Sequence, residues 1–271
     1  MPELDPSSLL NLDEDHQLLC GAVRAAGALA LTYYQRDIEQ WDKDDDTPVS
    51  EADHAVNALL HERLQGPRPD YGWLSEETED DPVRLERDYV WVVDPIDGTR
   101  AFLKGRPHFT ICVALVFQGK PVLAAVFNPA SDEFFEAQLG SGAFLNGTPI
   151  SPSKRRDISG CRMAAFAPMF KHPAWPEPWP EMDIVSRNSV AYRLVLVANG
   201  FVDACMALNR KSDWDLAAAD LIVREAGGRM TTHDGRAFVY NKSFTKHRSL
   251  VAAGPALYDA LFERVGGLTL P

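Results

Sequence analysis

The sequence predicts a layered α/β fold, and three observations carry that expectation. Two helical stretches with apolar stripes open the chain, at residues 13–36 and 51–64. Short segments of period two fill residues 72–145. Beyond residue 181, helices alternate with strands, and acidic clusters sit at the strand-to-helix joints. That order belongs to helices packed on sheets in layers.

Residues 1–12 read as a loose leader. The first helix places Leu18, Leu19, Val23, Ala26, Leu29, Leu31 and Tyr34 on its apolar stripe. A polar break follows from Trp41 to Pro48, with Lys43, Asp44, Asp45, Asp46 and Thr47. Ser50 is then a natural N-cap for a helix over Glu51–Leu64, whose stripe is Val56, Leu59, Leu60 and Leu64. Strands are expected at 72–75, 89–94, 109–117, 122–128, 133–137 and 143–145. Gly119-Lys120 and Asn146-Gly147 serve as hairpin signals. The Pro- and Trp-rich stretch 172–180 reads as a surface loop between subdomains of roughly 13–170 and 181–271, with Trp175 and Trp179 as exposed candidates for an interface. A strand at 183–185, a helix at 189–199, a strand at 201–207, a helix at 216–226, a strand at 228–232 and a short helix at 255–265 complete the pattern.

The 271 residues are 45% hydrophobic, enough for a full core. The net charge of −12 argues against a partner bound through its nucleic-acid backbone. A phosphorylated substrate stays open, because a bound metal supplies positive charge locally. Cys20, Cys112, Cys161 and Cys205 lie far apart without a CxxC, which suits free thiols in a reducing compartment. No signal peptide and no apolar run near the ~18 residues of a membrane span are visible. The expectation is a cytoplasmic protein.

Three acidic clusters carry the chemistry: Ser75-Glu76-Glu77, Asp94 with Asp97, and Asp213-Trp214-Asp215. Each has an ordinary explanation. Asp215 suits a helix start, Glu76-Glu77 a solvated loop edge, and Asp94 and Asp97 a turn with Pro95 and Gly98. All three, however, flank buried-looking apolar segments. Two carboxylates on one rigid turn at a strand end make a cradle for a hard cation such as Mg²⁺. Gly98 and Thr99 then offer amides to phosphate oxygens. Metal and phosphate side by side point to phosphoryl chemistry.

Asp94-Pro95-Ile96-Asp97-Gly98-Thr99, together with Leu74-Ser75-Glu76-Glu77, Trp214-Asp215-Leu216-Ala217-Ala218 and Glu225-Ala226-Gly227-Gly228, resembles the inositol monophosphatase superfamily of Mg²⁺-dependent, Li⁺-sensitive phosphomonoesterases. The resemblance runs from about Asp13 to the C-terminus. It implies an αβαβα sandwich of the inositol monophosphatase and sugar phosphatase type. It also implies two to three Mg²⁺ ions. Glu76, Asp94 and the Ile96 carbonyl would hold the first, and Asp94, Asp97 and Asp215 the second, with a weaker third near Glu76. Thr99, supported by Asp53, would orient the nucleophilic water, with Glu76 also in the catalytic set. The Gly98 and Thr99 amides would take the phosphate, and Lys43 and Asp215 would complete the substrate site. Such crowded carboxylates repel one another without metal, so metal-dependent stability is expected.

For the ester itself, the LSEE motif, the spacing from Lys43 through Pro48-Val49 to Asp53, and Asp97-Gly98-Thr99-Arg100 resemble the bacterial 3′(2′),5′-bisphosphate nucleotidase branch. No acid lies between Asp203 and Asp213, where inositol phosphatases carry a glutamate. Arg210 and Lys211 stand there instead, suited to a second phosphate or simply to a solvated loop. Arg187 and Arg193 present the same two choices. Asn188-Ser189 departs from the Gly-Ser or Gly-Thr of many relatives. Inositol 1-phosphatase, fructose-1,6-bisphosphatase and histidinol phosphatase activities, or a non-catalytic metal- or phosphate-binding module, are the alternatives. The module is disfavoured because Glu76, Asp94, Asp97, Thr99 and Asp215 are all present. The three-residue spacing of Asp94 and Asp97 does not fit the DxD of haloacid-dehalogenase-type phosphatases. Gly140-Ser141-Gly142 is no nucleophile elbow, and the histidines form no HExxH. The expected partner is a small phosphorylated metabolite, with no nucleic acid, no membrane and a homodimer as an option.

Overall fold

The computed structural model describes residues 12–43, 47–173 and 175–270. The expected leader, apart from Leu12, and the acids Asp44, Asp45 and Asp46 lie outside them. Among the described residues, helix α1 (Leu12–Tyr33) leads to a small hairpin of β1 (Gln40–Asp42) and β2 (Pro48–Ser50), then helix α2 (Glu51–Gln65). Strands β3 (Gly72–Ser75) and β4 (Tyr89–Asp97) follow. After the one-and-a-half-turn helix α3 (Thr99–Leu103) come β5 (Thr110–Phe117), β6 (Lys120–Asn128), β7 (Glu133–Gln138), β8 (Gly142–Leu145) and β9 (Thr148–Pro149). These strands, β3 to β9, form one sheet in sequence order, antiparallel except for the β3–β4 pair.

The second half supplies β10 (Arg162–Ala164), β11 (Asp183–Val185), helix α4 (Val190–Ala198), β12 (Ala204–Ala207), β13 (Lys211–Ser212), helix α5 (Asp213–Glu225), β14 (Arg229–Thr231), β15 (Lys246–His247), β16 (Leu250–Ala253) and helix α6 (Pro255–Val265). Its main sheet runs in the order β11-β10-β12-β16-β14.

Strand alternation explains the layering. On β4, Trp91 and Val93 face one way and pack with Leu19, Val23 and Ala26 of α1 and Val56 and Leu60 of α2. Val90 and Val92 face the other way, against Leu194 and Val195 of α4 and Leu216 and Ala219 of α5. The same two helices also bury Cys205, Leu250 and Ala252 of the second sheet. The far face of that sheet, through Met163, Met206 and Val251, packs on Leu257, Tyr258 and Leu261 of α6. The order is therefore helix pair, sheet, helix pair, sheet, helix: the expected αβαβα sandwich.

Some expectations need correction. β16 is not signalled in the sequence, yet it lies between β12 and β14 in the five-stranded sheet. Only four residues long and buried throughout, it shows no alternation to read. The strand expected from Phe201 starts at Ala204, because Gly200 turns the chain at φ +73° and leaves Phe201 exposed. Leu31 is exposed rather than on the stripe of α1. Trp175 and Trp179 are not a free surface: both pack on the α6 side of the second sheet. The Trp175 indole donates to the Met169 carbonyl at 2.7 Å, and Arg264 lies over the Trp179 ring at 4.6 Å.

Candidate active site

Asp94 and Asp97 stand three apart on a strand, an odd spacing that would send their side chains to opposite faces. A bulge resolves this. Asp94 pairs with Cys112 and Asp97 with Thr110, so three steps on β4 answer two on β5. Pro95, which has no N–H to give the ladder, sits inside the bulge. Both carboxylates thereby reach the face that α5 covers, where Asp215 opens that helix. Ligand oxygens of Asp94, Asp97 and Asp215 all lie within 4.8 Å of one another.

The three aspartates differ in how they are held. An oxygen of Asp215 accepts from the Ser212 amide at 2.7 Å, closing the start of α5. Asp97 Oδ2 accepts from the Ser189 hydroxyl at 2.6 Å and the Ala191 amide at 2.7 Å, which ties the trio to the start of α4. Both oxygens of Asp94, by contrast, are buried with no hydrogen-bond partner. Burial, and then the fields of Glu76, Asp97 and Asp215, push the Asp94 pKa far up. Burial also raises Asp97, against the Ser189 and Ala191 hydrogen bonds. Asp215 rises for the same reason, with Asp97 as the main added repulsion. Such a cluster is held either by protons, as the raised pKa values describe, or by a cation that pairs with the ionised oxygens. The donor set is all oxygen, the preference of a hard divalent ion.

Around the trio stands a second ring. Thr99 Oγ1 lies 3.1 Å from Asp53 Oδ1 and 3.0 Å from the Ile96 carbonyl. Asp53 is fixed from α2 by the Ser50 amide and hydroxyl, at 2.9 and 2.6 Å. Burial lifts the Asp53 pKa to about 6, against these hydrogen bonds. Glu76 lies outside the aspartate trio and accepts from Lys43 Nζ at 2.9 Å. The same ammonium reaches Glu77 at 2.5 Å. Burial alone would lower the Lys43 pKa, but the two glutamates outweigh it and hold it up.

Gly98 makes the turn possible. Its φ is +98°, and an added Cβ would sit 2.8 Å from the His108 carbonyl and 3.2 Å from the Ser189 amide nitrogen. We expect Gly98→Ala to lower stability by at least ~2 kcal/mol, because it combines strained backbone with a contact to rigid main chain. A thermal melt of the variant in EDTA checks this.

With that geometry in place, the comparison with known proteins is decisive: residues 11–267 match the inositol monophosphatase family. The chain belongs to the inositol monophosphatase family. As a member it is a phosphoric monoester hydrolase. A histidinol-phosphatase of Chlorobaculum parvum is 33% identical over 260 residues, 93% of this chain and 96% of that one. An inositol-1-monophosphatase of Rhizobium meliloti is 37% identical over 195 residues, 69% of this chain and 73% of the relative. The crystal structure of extragenic suppressor protein SuhB from Bartonella henselae superposes with a TM-score of 0.80 at 29% identity, covering 93% of this chain and 98% of the other.

Within this family member the cations on the rim are unevenly placed. Lys211 is half-buried, and this desolvation lowers its pKa; it also feels the fields of Asp215, Arg193 and Asp97. Its ammonium donates to Asn209 Oδ1 and the Arg210 carbonyl, both at 3.1 Å. Arg210 itself is exposed, its guanidinium 5.9 Å over the Phe244 ring, and is not drawn into the aspartate cluster. On the Gly98 side, burial followed by the fields of Arg187 and Arg106 lowers the His108 pKa. Sequence reasoning missed Ser189 as a partner of Asp97 and Glu77 as a partner of Lys43. It also grouped Asp213 with the site, whereas its carboxylate receives the Asn241 amide at 2.7 Å and His247 Nε2 at 2.8 Å.

Proposed function

We propose that the protein is a Mg²⁺-dependent phosphomonoesterase acting on a small phosphorylated metabolite whose leaving group is itself anionic. Adenosine 3′,5′-bisphosphate, split to AMP and phosphate, fits that description best. The observation that carries the metal requirement is the buried, partnerless Asp94 carboxylate at the centre of the aspartate trio. Asp94, Asp97 and Asp215 would hold the metal, with Glu76 and the Ile96 carbonyl as further oxygen donors. When bound, Mg²⁺ supplies the charge that makes water a nucleophile near neutral pH and offsets the phosphate's charge.

The chain's own groups do the rest. The Thr99 hydroxyl donates toward Asp53, which leaves its lone pair to receive a proton of the attacking water and so aim its oxygen at phosphorus. Asp53, with its pKa near 6, is mostly ionised at neutral pH and accepts that hydrogen bond. The amides of Gly98 and Thr99 would take the phosphate oxygens. Lys43 steadies Glu76 and balances the acidic wall.

The leaving-group side supports the substrate choice. Arg193 and Lys211 both act electrostatically on the aspartate trio, and the field of Arg187 reaches His108. A basic rim of this kind favours an anionic leaving group. The names of the two relatives favour a second reading, an alcohol monophosphate such as inositol 1-phosphate or histidinol phosphate. With a net charge of −12, a small-molecule substrate suits the chain better than a nucleic acid.

Phosphate release with Mg²⁺ from adenosine 3′,5′-bisphosphate, inositol 1-phosphate, fructose 1,6-bisphosphate and histidinol phosphate tests the proposal. We expect kcat/KM on the adenosine bisphosphate to lead by tenfold or more, and Lys211→Ala to narrow that lead. A dominant rate on inositol 1-phosphate or histidinol phosphate would keep the phosphatase mechanism and discard the anionic-leaving-group argument.

A further inference from the structure

A second convergence of ligand atoms lies outside the aspartate site, where α1 crosses β7, and it is independent of the function proposed above. His16 and Cys20 are four residues apart on α1 and share one face. Glu136 lies on β7, two residues from Phe134, which packs into the same cluster as α1. The helix and strand are matched along their length. Arg24 lies 3.8 Å over the Phe134 ring, and Gln138 Nε2 donates to Asp13 Oδ1 at 3.1 Å. Between these two contacts, Cys20 Sγ donates to Glu136 Oε2 at 3.1 Å. His16 Nε2 is 3.5 Å from that sulfur and 3.3 Å from the same oxygen.

We propose that His16, Cys20 and Glu136 form a binding site for a borderline-soft divalent cation of the zinc class. The triangle of ligand atoms has the dimensions such an ion requires. Tetrahedral bonds of about 2.0–2.3 Å to nitrogen, oxygen and sulfur put the ligand atoms roughly 3.3–3.6 Å apart. The N–S and N–O edges, 3.5 and 3.3 Å, match. The S–O edge, 3.1 Å, falls about 0.2–0.5 Å below that range. That contraction belongs to the thiol proton bridging sulfur and carboxylate. Metal binding breaks the S–H bond, forms the S–metal bond and releases the proton to solvent, while His16 binds through a bare Nε2 with its proton on Nδ1.

The surroundings fit a bound ion. The His16 and Glu136 side chains remain 26% and 19% exposed, so an ion can enter and water can take a fourth position. Thiolate and carboxylate together neutralise a divalent charge. Arg24, whose field reaches both, is already seated on Phe134. Burial and Glu136 keep the free thiol protonated, so an ion must displace that proton and binds more tightly as pH rises. A ligand set of sulfur, imidazole and carboxylate is softer than the three aspartates of the catalytic site, so the two sites select different ions. An ion here would fasten the N-terminal half of α1 to the sheet.

The test uses the full chain in saturating Mg²⁺, so that the oxygen-only site is occupied, titrated with Co²⁺. We expect a saturable, one-equivalent near-UV band from thiolate-to-cobalt charge transfer. Cys20→Ala should lose the band, and His16→Ala should weaken the affinity about tenfold or more. Zn²⁺ should raise the melting temperature of the wild type but not of Cys20→Ala. Turnover of both variants in Mg²⁺ alone should equal that of the wild type, which reports an intact fold. If Cys20→Ala folds poorly, Cys20→Ser keeps the size and still removes the sulfur band. No band, or an equal band in the Cys20 variants, overturns the proposal and leaves the triad as a hydrogen-bonded contact.

Discussion

Asp94→Asn should lower turnover by about 10³-fold or more while raising the melting temperature of the metal-free protein. The two effects have one cause. Asp94 is 1% exposed, lies within ligand distance of Asp97 and Asp215, and has no hydrogen-bond partner for either oxygen. Folding puts it there against the fields of Glu76, Asp97 and Asp215. An asparagine occupies the same volume, carries no charge, and can donate its amide N–H to a neighbouring carboxylate. The metal-free fold therefore gains, by about 1 kcal/mol or a few degrees. The proposed metal site would lose a negative ligand at its centre, and with it much of its hold on the cation. Metal-dependent phosphate release and a melt in EDTA measure the two halves. Near wild-type turnover would remove Asp94 from the metal site. Lost turnover together with a lower melting temperature in EDTA would mean that Asp94 matters to the fold rather than to the ion.

The same region shows how much the sequence discloses. Asp94, Asp97 and Asp215 are legible because each acid interrupts or opens a strongly apolar element, and the structure brings the three together. The bulge that makes the convergence possible is not legible, although Pro95 inside an apolar strand is its trace. Ser189 looks like an ordinary N-cap. Its second bond, to Asp97, spans 92 residues and depends on how α4 docks against β5. Layering was readable where period-two strands and period-3.6 helices are long. It was not readable in β16, where four buried residues leave no alternation, nor in Trp175 and Trp179, whose polar, Pro-rich context hides their packing against the second sheet. Arg210 and Lys211, adjacent in sequence, part ways in the fold: one lies over an exposed Phe244, the other feels the aspartates. Sequence adjacency cannot decide which neighbour of a turn faces inward.

Metal-free protein should lose stability as pH rises from 5.5 to 8, and Mg²⁺ should reverse that trend. Asp53, Asp94, Asp97 and Asp215 are all raised in the folded state above the ordinary aspartate value, chiefly by burial. In the unfolded chain they ionise near pH 4. Between that pH and the folded values, which reach about 6 for Asp53 and about 7 for Asp215, the native state binds more protons than the unfolded one. Stability then falls as pH rises through this window. A carboxyl raised as far as Asp53 accounts for about 3 kcal/mol across the whole range. His108, lowered by burial and by Arg187 and Arg106, works in the opposite sense, but one histidine stands against these four aspartates and against Glu77 and Asp220, which burial also raises. Glu136, Asp80 and Asp234 are lowered and act only at more acid pH, outside the window. A bound divalent cation favours the ionised carboxylates, so its affinity grows as the protons leave. The melting-temperature gap between Mg²⁺ and EDTA should be small at pH 5.5 and wide at pH 8. A gap that is absent, or that narrows with rising pH, would mean that the aspartate trio neither repels itself in the free protein nor holds a cation in the loaded one.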